Sequence, residues 1–208
     1  MANLYPTLLH TIEELKTEFD QIPETRRQLL LSLGNYCRQK VAAEQPIHLN
    51  VICTHNSRRS HLGQLWLSTA AQYYGIPNLH SYSGGTESTA FHPNAVQGMR
   101  SLGFHIDKKS DGPNPRYLAL LHEKDEGQVL FSKKYDNPVN PTEAFAAIMV
   151  CTEADRGCPV ILGAEQRFAI SFSDPKAFDG TEREAAGYLE RCRDIGREVL
   201  FGMGRGFE

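Results

Sequence analysis

The chain has 208 residues, 40% of them hydrophobic and 23% charged, which is the composition of a globular protein with room for one sizeable core. A formal charge of −3 leaves no general footprint for nucleic acid or a membrane surface, and no apolar run is long enough to span a bilayer. The first residues lack a basic region followed by an apolar stretch, so the five cysteines are expected as reduced thiols in a cytoplasmic protein.

Residues 11–22 and 24–42 predict two helices broken at Ile22-Pro23. Thr11 and Glu14 have the spacing of a capping box ahead of Leu15 and Phe19. Leu29, Leu30, Leu33, Tyr36 and Cys37 fall on one face of the second helix. Residues 1–45 are therefore expected as a helical arm for packing or homodimerisation, ahead of a catalytic domain over 46–208.

A short apolar strand, 47–52, then runs into Cys53-Thr54-His55-Asn56-Ser57-Arg58-Arg59-Ser60 and an amphipathic helix. A cysteine at a strand end, a polar loop and an arginine at a helix start form an anion trap around a nucleophile. Loop and helix N–H groups point inward and favour negative charge. That field is expected to lower the Cys53 pKa and make it a thiolate near neutral pH. The guanidinium of Arg59 can grip two oxygens of a tetrahedral oxyanion.

Leu62, Leu65, Trp66, Thr69, Ala70 and Tyr73 make a core stripe on the following helix. Leu79–Ser83 is a strand ending in Gly84-Gly85-Thr86-Glu87, and Pro93–Leu102 a helix stopped by Gly103. Residues 111–143 read as an insertion, with Tyr117–His122 and Gln128–Lys133 pairing as a β-hairpin. Ala146–Cys151 is a strand buried on both faces, and Arg167–Ser171 another. Thr181–Leu200 is the last helix, with a Thr181/Glu184 capping box and a buried face of Ala185, Leu189, Cys192, Ile195 and Val199. This alternation predicts an α/β fold: an open parallel sheet with helices on both faces and reactive loops at the carboxyl ends of its strands.

Two further signals fall at such strand ends. Cys151 and Cys158-Pro159 are separated by a polar loop of six residues. Zinc would want four ligands at closer paired spacing, and a static disulfide does not suit the cytoplasm. Two unrelated core cysteines or a functional pair remain. Asp174-Pro175 follows the strand near residue 172 and is either a turn or a carboxylate aimed at the same rim.

The run Cys53 to Ser60 resembles the phosphate-binding loop of the low-molecular-weight protein tyrosine phosphatases and of the thioredoxin-coupled arsenate reductases that share their fold. The likeness extends from about residue 47 to 200, the insertion excepted. It implies Cys53 as nucleophile, Arg59 as oxyanion clamp and Asp174 as general acid. Thr54, His55, Asn56, Ser57, Arg58 and Ser60 would line the oxyanion, with Asn56 bracing the loop and Ser60 hydrogen-bonded to the sulfur. His55 stands where the family usually has glycine, so a left-handed backbone is expected there. The reductases carry a cysteine pair with the spacing of Cys151 and Cys158 and the same following proline. The likeness therefore implies reduction of arsenate through three thiols, regenerated by a thioredoxin-like partner. Hydrolysis of a phosphate ester is the alternative, and Lys176 and Ala177, where the tyrosine phosphatases have aromatic residues, weigh against phosphotyrosine. No metal or other cofactor is expected.

Overall fold

The computed structural model describes residues 3–157 and 160–207. The first helix, α1 (Pro6–Thr17), starts earlier than the Thr11/Glu14 spacing predicts. Pro6 supplies the fixed φ of a first helical turn, and Thr11 lies within the buried helix face rather than capping it. A short 3₁₀ turn, Phe19–Gln21, leads to α2 (Glu24–Ala42), whose bounds match the sequence expectation.

The central sheet follows: β1 (Ile47–Cys53), α3 (Arg59–Tyr74), β2 (Leu79–Gly85), α4 (Pro93–Ser101), and then, past a small antiparallel sheet, β6 (Phe145–Met149), α5 (Thr152–Gly157), β7 (Ala164–Ala169) and α6 (Glu184–Arg205). The strand order is β2-β1-β6-β7 and every pairing is parallel. The fold is α/β, an open parallel sheet flanked by helices, as the alternation of elements predicts. All five residues of β6 are buried, which is why that strand reads as a continuous apolar run.

The expected hairpin is present. Strands β4 (Tyr117–Leu120) and β5 (Gln128–Leu130) pair antiparallel, and β3 (His105–Lys108) adds a third strand that the pattern did not announce. Only Ile106 of β3 is buried, so it carries too little apolar alternation to be read as a strand.

Helices α1 and α2 pack on α6, and their apolar residues join the same core cluster as the sheet. A Cβ on Gly34 would overlap the backbone of Gly202 and Gly206, so α2 and α6 touch through small residues. The buried face of α6 is Tyr188, Cys192, Ile195, Gly196, Leu200 and Met203, while Ala185 is exposed. Cys192 and Ile195 are buried and Leu189 and Val199 pack against the core as expected, and the face is wider than the pattern suggests because glycines that look like spacers are contact points. Ion pairs close the outside of this layer: Arg26 to Glu198 at 2.7 Å, and Arg197 to Glu18 at 3.1 Å.

Candidate active site

Cys53 ends β1, is 4% exposed, and lies at the carboxyl edge of the sheet. Its sulfur accepts the Asn56 N–H at 3.2 Å and lies 3.1 Å from the Ser60 hydroxyl. Ser60 is held in turn by the Asn56 side-chain amide at 2.8 Å. The left-handed residue of the loop is Asn56, at φ +43°, and not His55 as expected. Asparagine tolerates that region. Both ends of its side chain are also tied, since Asn56 Oδ1 accepts the Lys133 N–H at 2.9 Å.

An outer ring of contacts holds the loop backbone. Thr86 N–H donates to the Cys53 carbonyl at 3.1 Å and Glu87 N–H to that of Thr54 at 2.8 Å. Ser132 Oγ donates to the His55 carbonyl at 2.9 Å, and His92 N–H to that of Ser57 at 2.9 Å. A Cβ on Gly85 would strike Thr54 and Asn56, and one on Gly84 the backbone of Tyr135, which explains the glycine pair. Ser132, Lys133 and His92 had no sequence signal, because each serves through a contact distant in the chain. His55 itself points outward, half exposed, with Nε2 3.6 Å from Glu87.

The two arginines diverge. Arg59, 7% exposed at the first position of α3, donates from Nη2 to Asp174 Oδ2 at 2.5 Å and from Nη1 to the Phe172 carbonyl at 2.8 Å. Its Nε is buried without a partner among the described residues. Asp174 also caps the 3₁₀ turn Pro175–Phe178 through Oδ1 and the Lys176 N–H. The structure therefore brings Cys53, Arg59 and Asp174 to one rim. Arg58, expected to line the oxyanion, instead donates to Tyr188 OH at 2.7 Å and Asp179 Oδ2 at 3.0 Å. Tyr188 OH donates to the other oxygen of Asp179, closing a brace between the loop and α6.

The expectation of a lowered Cys53 pKa is reversed. Burial pushes the thiol up, outweighing the Ser60 hydroxyl, the Ser57 N–H and the Arg59 charge, with nearby Cys151 adding to the rise. The positive field is real, but desolvation of the thiolate is the larger effect.

Cys151 follows β6, is fully buried, and has its sulfur 3.4 Å from Thr54 Oγ1. The segment after it is not the expected polar loop but the helix α5. Cys151 begins that helix, its sulfur accepting the Ala154 N–H at 3.4 Å and its carbonyl the Asp155 N–H at 3.0 Å. Glu153 and Asp155 in the first turn complement the helix N-terminus. Cys158 and Pro159 lie outside the described residues. Among the described residues no cluster of three His, Cys, Asp or Glu could hold a metal. Nor is any described helix long and apolar enough to cross a membrane.

A strand-end cysteine in such a loop, on a four-stranded parallel sheet, defines the low-molecular-weight phosphatase class of fold. Solved structures carry it at low identity. A low-molecular-weight protein tyrosine phosphatase from T. tengcongensis superposes with a TM-score of 0.52 at 12% identity, covering 76% of this chain and 99% of that one. A low-molecular-weight phosphotyrosine phosphatase from Vibrio cholerae O395 does so at 0.50 and 14%, covering 74% and 93%. No protein-family model matches the chain. Sequence relatives are narrower in kind. The chain is 30% identical over 150 residues to an arsenate reductase of Bacillus licheniformis, covering 71% of this chain and 88% of the relative. It is 28% identical over 143 residues to an arsenate reductase of Bacillus subtilis, covering 69% and 84%. The chain belongs to the family of arsenate reductases and low-molecular-weight protein tyrosine phosphatases, and is an enzyme of that family.

Proposed function

We propose that this chain is an arsenate reductase working through Cys53, Cys151 and Cys158. The observation that carries the proposal is Cys151, whose sulfur sits against Thr54 in the wall of the Cys53 loop. Ester hydrolysis has no use for a second thiol there. Arsenate enters as a tetrahedral dianion, held by the loop N–H groups and by Arg59 as its guanidinium turns from Asp174. Cys53 rests as a thiol, and its proton passes to an oxygen of the arriving dianion. The thiolate attacks arsenic, and Asp174, freed from Arg59, takes up that proton and returns it to the departing hydroxyl, which leaves as water. Cys151 then attacks the Cys53 sulfur. The new S–S bond leaves two electrons on arsenic, which departs as arsenite. Cys158 attacks Cys151 and frees Cys53. A thioredoxin-like dithiol reduces the resulting Cys151–Cys158 disulfide.

Phosphate-ester hydrolysis is a second reading, supported by the association of Cys53, Arg59 and Asp174, which is sufficient for it. The variant Cys158→Ser separates the two. It should release one arsenite per enzyme and stall as a Cys53–Cys151 disulfide, while aryl phosphate hydrolysis survives. Rapid-quench counting of arsenite, with mass mapping of the disulfide, reads the result. Sustained thioredoxin-driven turnover without Cys158 would sink the relay, and absence of arsenite from the wild type would put the phosphatase reading first.

A further inference from the structure

A second cleft of ≈ 320 Å³ shares none of its lining with the Cys53 loop. It opens where α3 and β2 face the chain running from β5 to residue 140. No carboxylate lines it, but two cations do. Lys133 is only 5% exposed, and among the described residues its ammonium makes neither hydrogen bond nor ion pair. It lies 4.9 Å from the centre of the Phe131 ring, and the guanidinium of exposed Arg116 lies 4.8 Å from the same ring. The facing histidine, His61, is fully buried and held well below its usual range by burial and by the Lys133 charge.

An ammonium held mostly inside a fold with no acceptor among the described residues, only an aromatic ring beside it, is destabilising on balance. Burial draws the Lys133 pKa down to about 8, which leaves it charged at neutral pH. Apolar surface completes the cleft. Val129 and Val139 line it at 52% and 56% exposure, two of the few large hydrophobic residues that the described chain leaves in water.

We propose that this cleft is a binding site for a small amphipathic anion. Its negative group would meet Lys133 and Arg116, the two cations that approach the Phe131 ring, and its flat apolar body would lie against Val129 and Val139. The volume suits a one- or two-ring acid.

Titration of the full chain with fluorescent 6-hydroxy-2-naphthoate tests the proposal. Saturable one-to-one binding is expected, weakened about tenfold by Lys133→Met and by Arg116→Gln, since each removes a charge-assisted contact. Millimolar inorganic phosphate, a ligand for the Cys53 loop, should leave the affinity unchanged. Arg116 is exposed, so its variant folds whatever Lys133→Met does. Binding that does not saturate, that ignores Arg116→Gln, or that phosphate displaces would overturn the proposal.

Discussion

At the scale of single residues, the site is built by dividing similar side chains among different tasks. Arg58 braces the loop to Asp179 and Tyr188, and Arg59 faces Asp174. Arg59→Lys keeps the charge but loses the planar fork, which cannot then hold Phe172 and Asp174, or two anion oxygens, at once. Turnover should fall at least a hundredfold, on the order of 3 kcal/mol of transition-state stabilisation, with weaker inhibition by sulfate. Near-normal kinetics would show that backbone N–H groups alone hold the anion. Lys133 carries a different expectation. Its pKa is depressed in the folded state, from 10.5 to about 8, so its charge disfavours folding at neutral pH. Lys133→Met should raise the unfolding free energy at pH 7 by about 1–3 kcal/mol. The gain should shrink as pH rises from about 8 toward 10.5, because the wild-type side chain then sheds its own charge. Urea melts at both ends of that window read the difference.

At the scale of elements, α5 is the piece whose structure matters most for the proposed relay. A helix rises about 1.5 Å per residue, so its six residues span about 9 Å. A disulfide needs Cα atoms within about 7 Å. In the proposed relay, closing Cys151 on Cys158 is expected to unwind α5. It is well suited to do so, being short, capped by a sulfur, and tied to β7 chiefly through Asp155 and Arg167. Hydrogen exchange at Ala154 and Asp155 should be slow in the reduced enzyme and fast once the Cys151–Cys158 bond forms. Equal protection in both states would exclude that disulfide. The sequence could not announce this helix. Thr152 to Gly157 is polar and too short for periodicity, and its start depends on a cysteine acting as cap. By contrast β1, α2, α3 and the β4–β5 hairpin were legible, because each has either a long apolar stripe or a strand-turn-strand pattern.

At the scale of the whole molecule, the N-terminal helices share the core of the central sheet. Leu8, Ile12, Leu15, Leu30 and Leu33 are all buried, each contributing about 1.5–3 kcal/mol. Together they rival the entire stability of a domain, about 5–15 kcal/mol. A chain beginning at residue 46 is expected to lose cooperative unfolding and near-ultraviolet circular dichroism. A sharp transition in that fragment would mark the helices as an appendage instead. The gathering of Cys53, Arg59 and Asp174 in the candidate site was visible from residue order alone, since Cys53 and Asp174 follow strands that end on the same edge. Its supports were not, because Ser132 and Lys133 reach the loop from 77 residues away.

The Arg59–Asp174 pair has a consequence for how competing anions are held. The guanidinium already has an anionic neighbour, so an arriving oxyanion displaces one favourable contact to make another. Net affinity is the difference between the two, smaller than the new contact alone would give. A bystander anion is then held less tightly and leaves sooner. Under the proposed reductase chemistry, discrimination among oxyanions would fall to the chemical step, where an oxyanion that accepts electrons from sulfur is drawn onward.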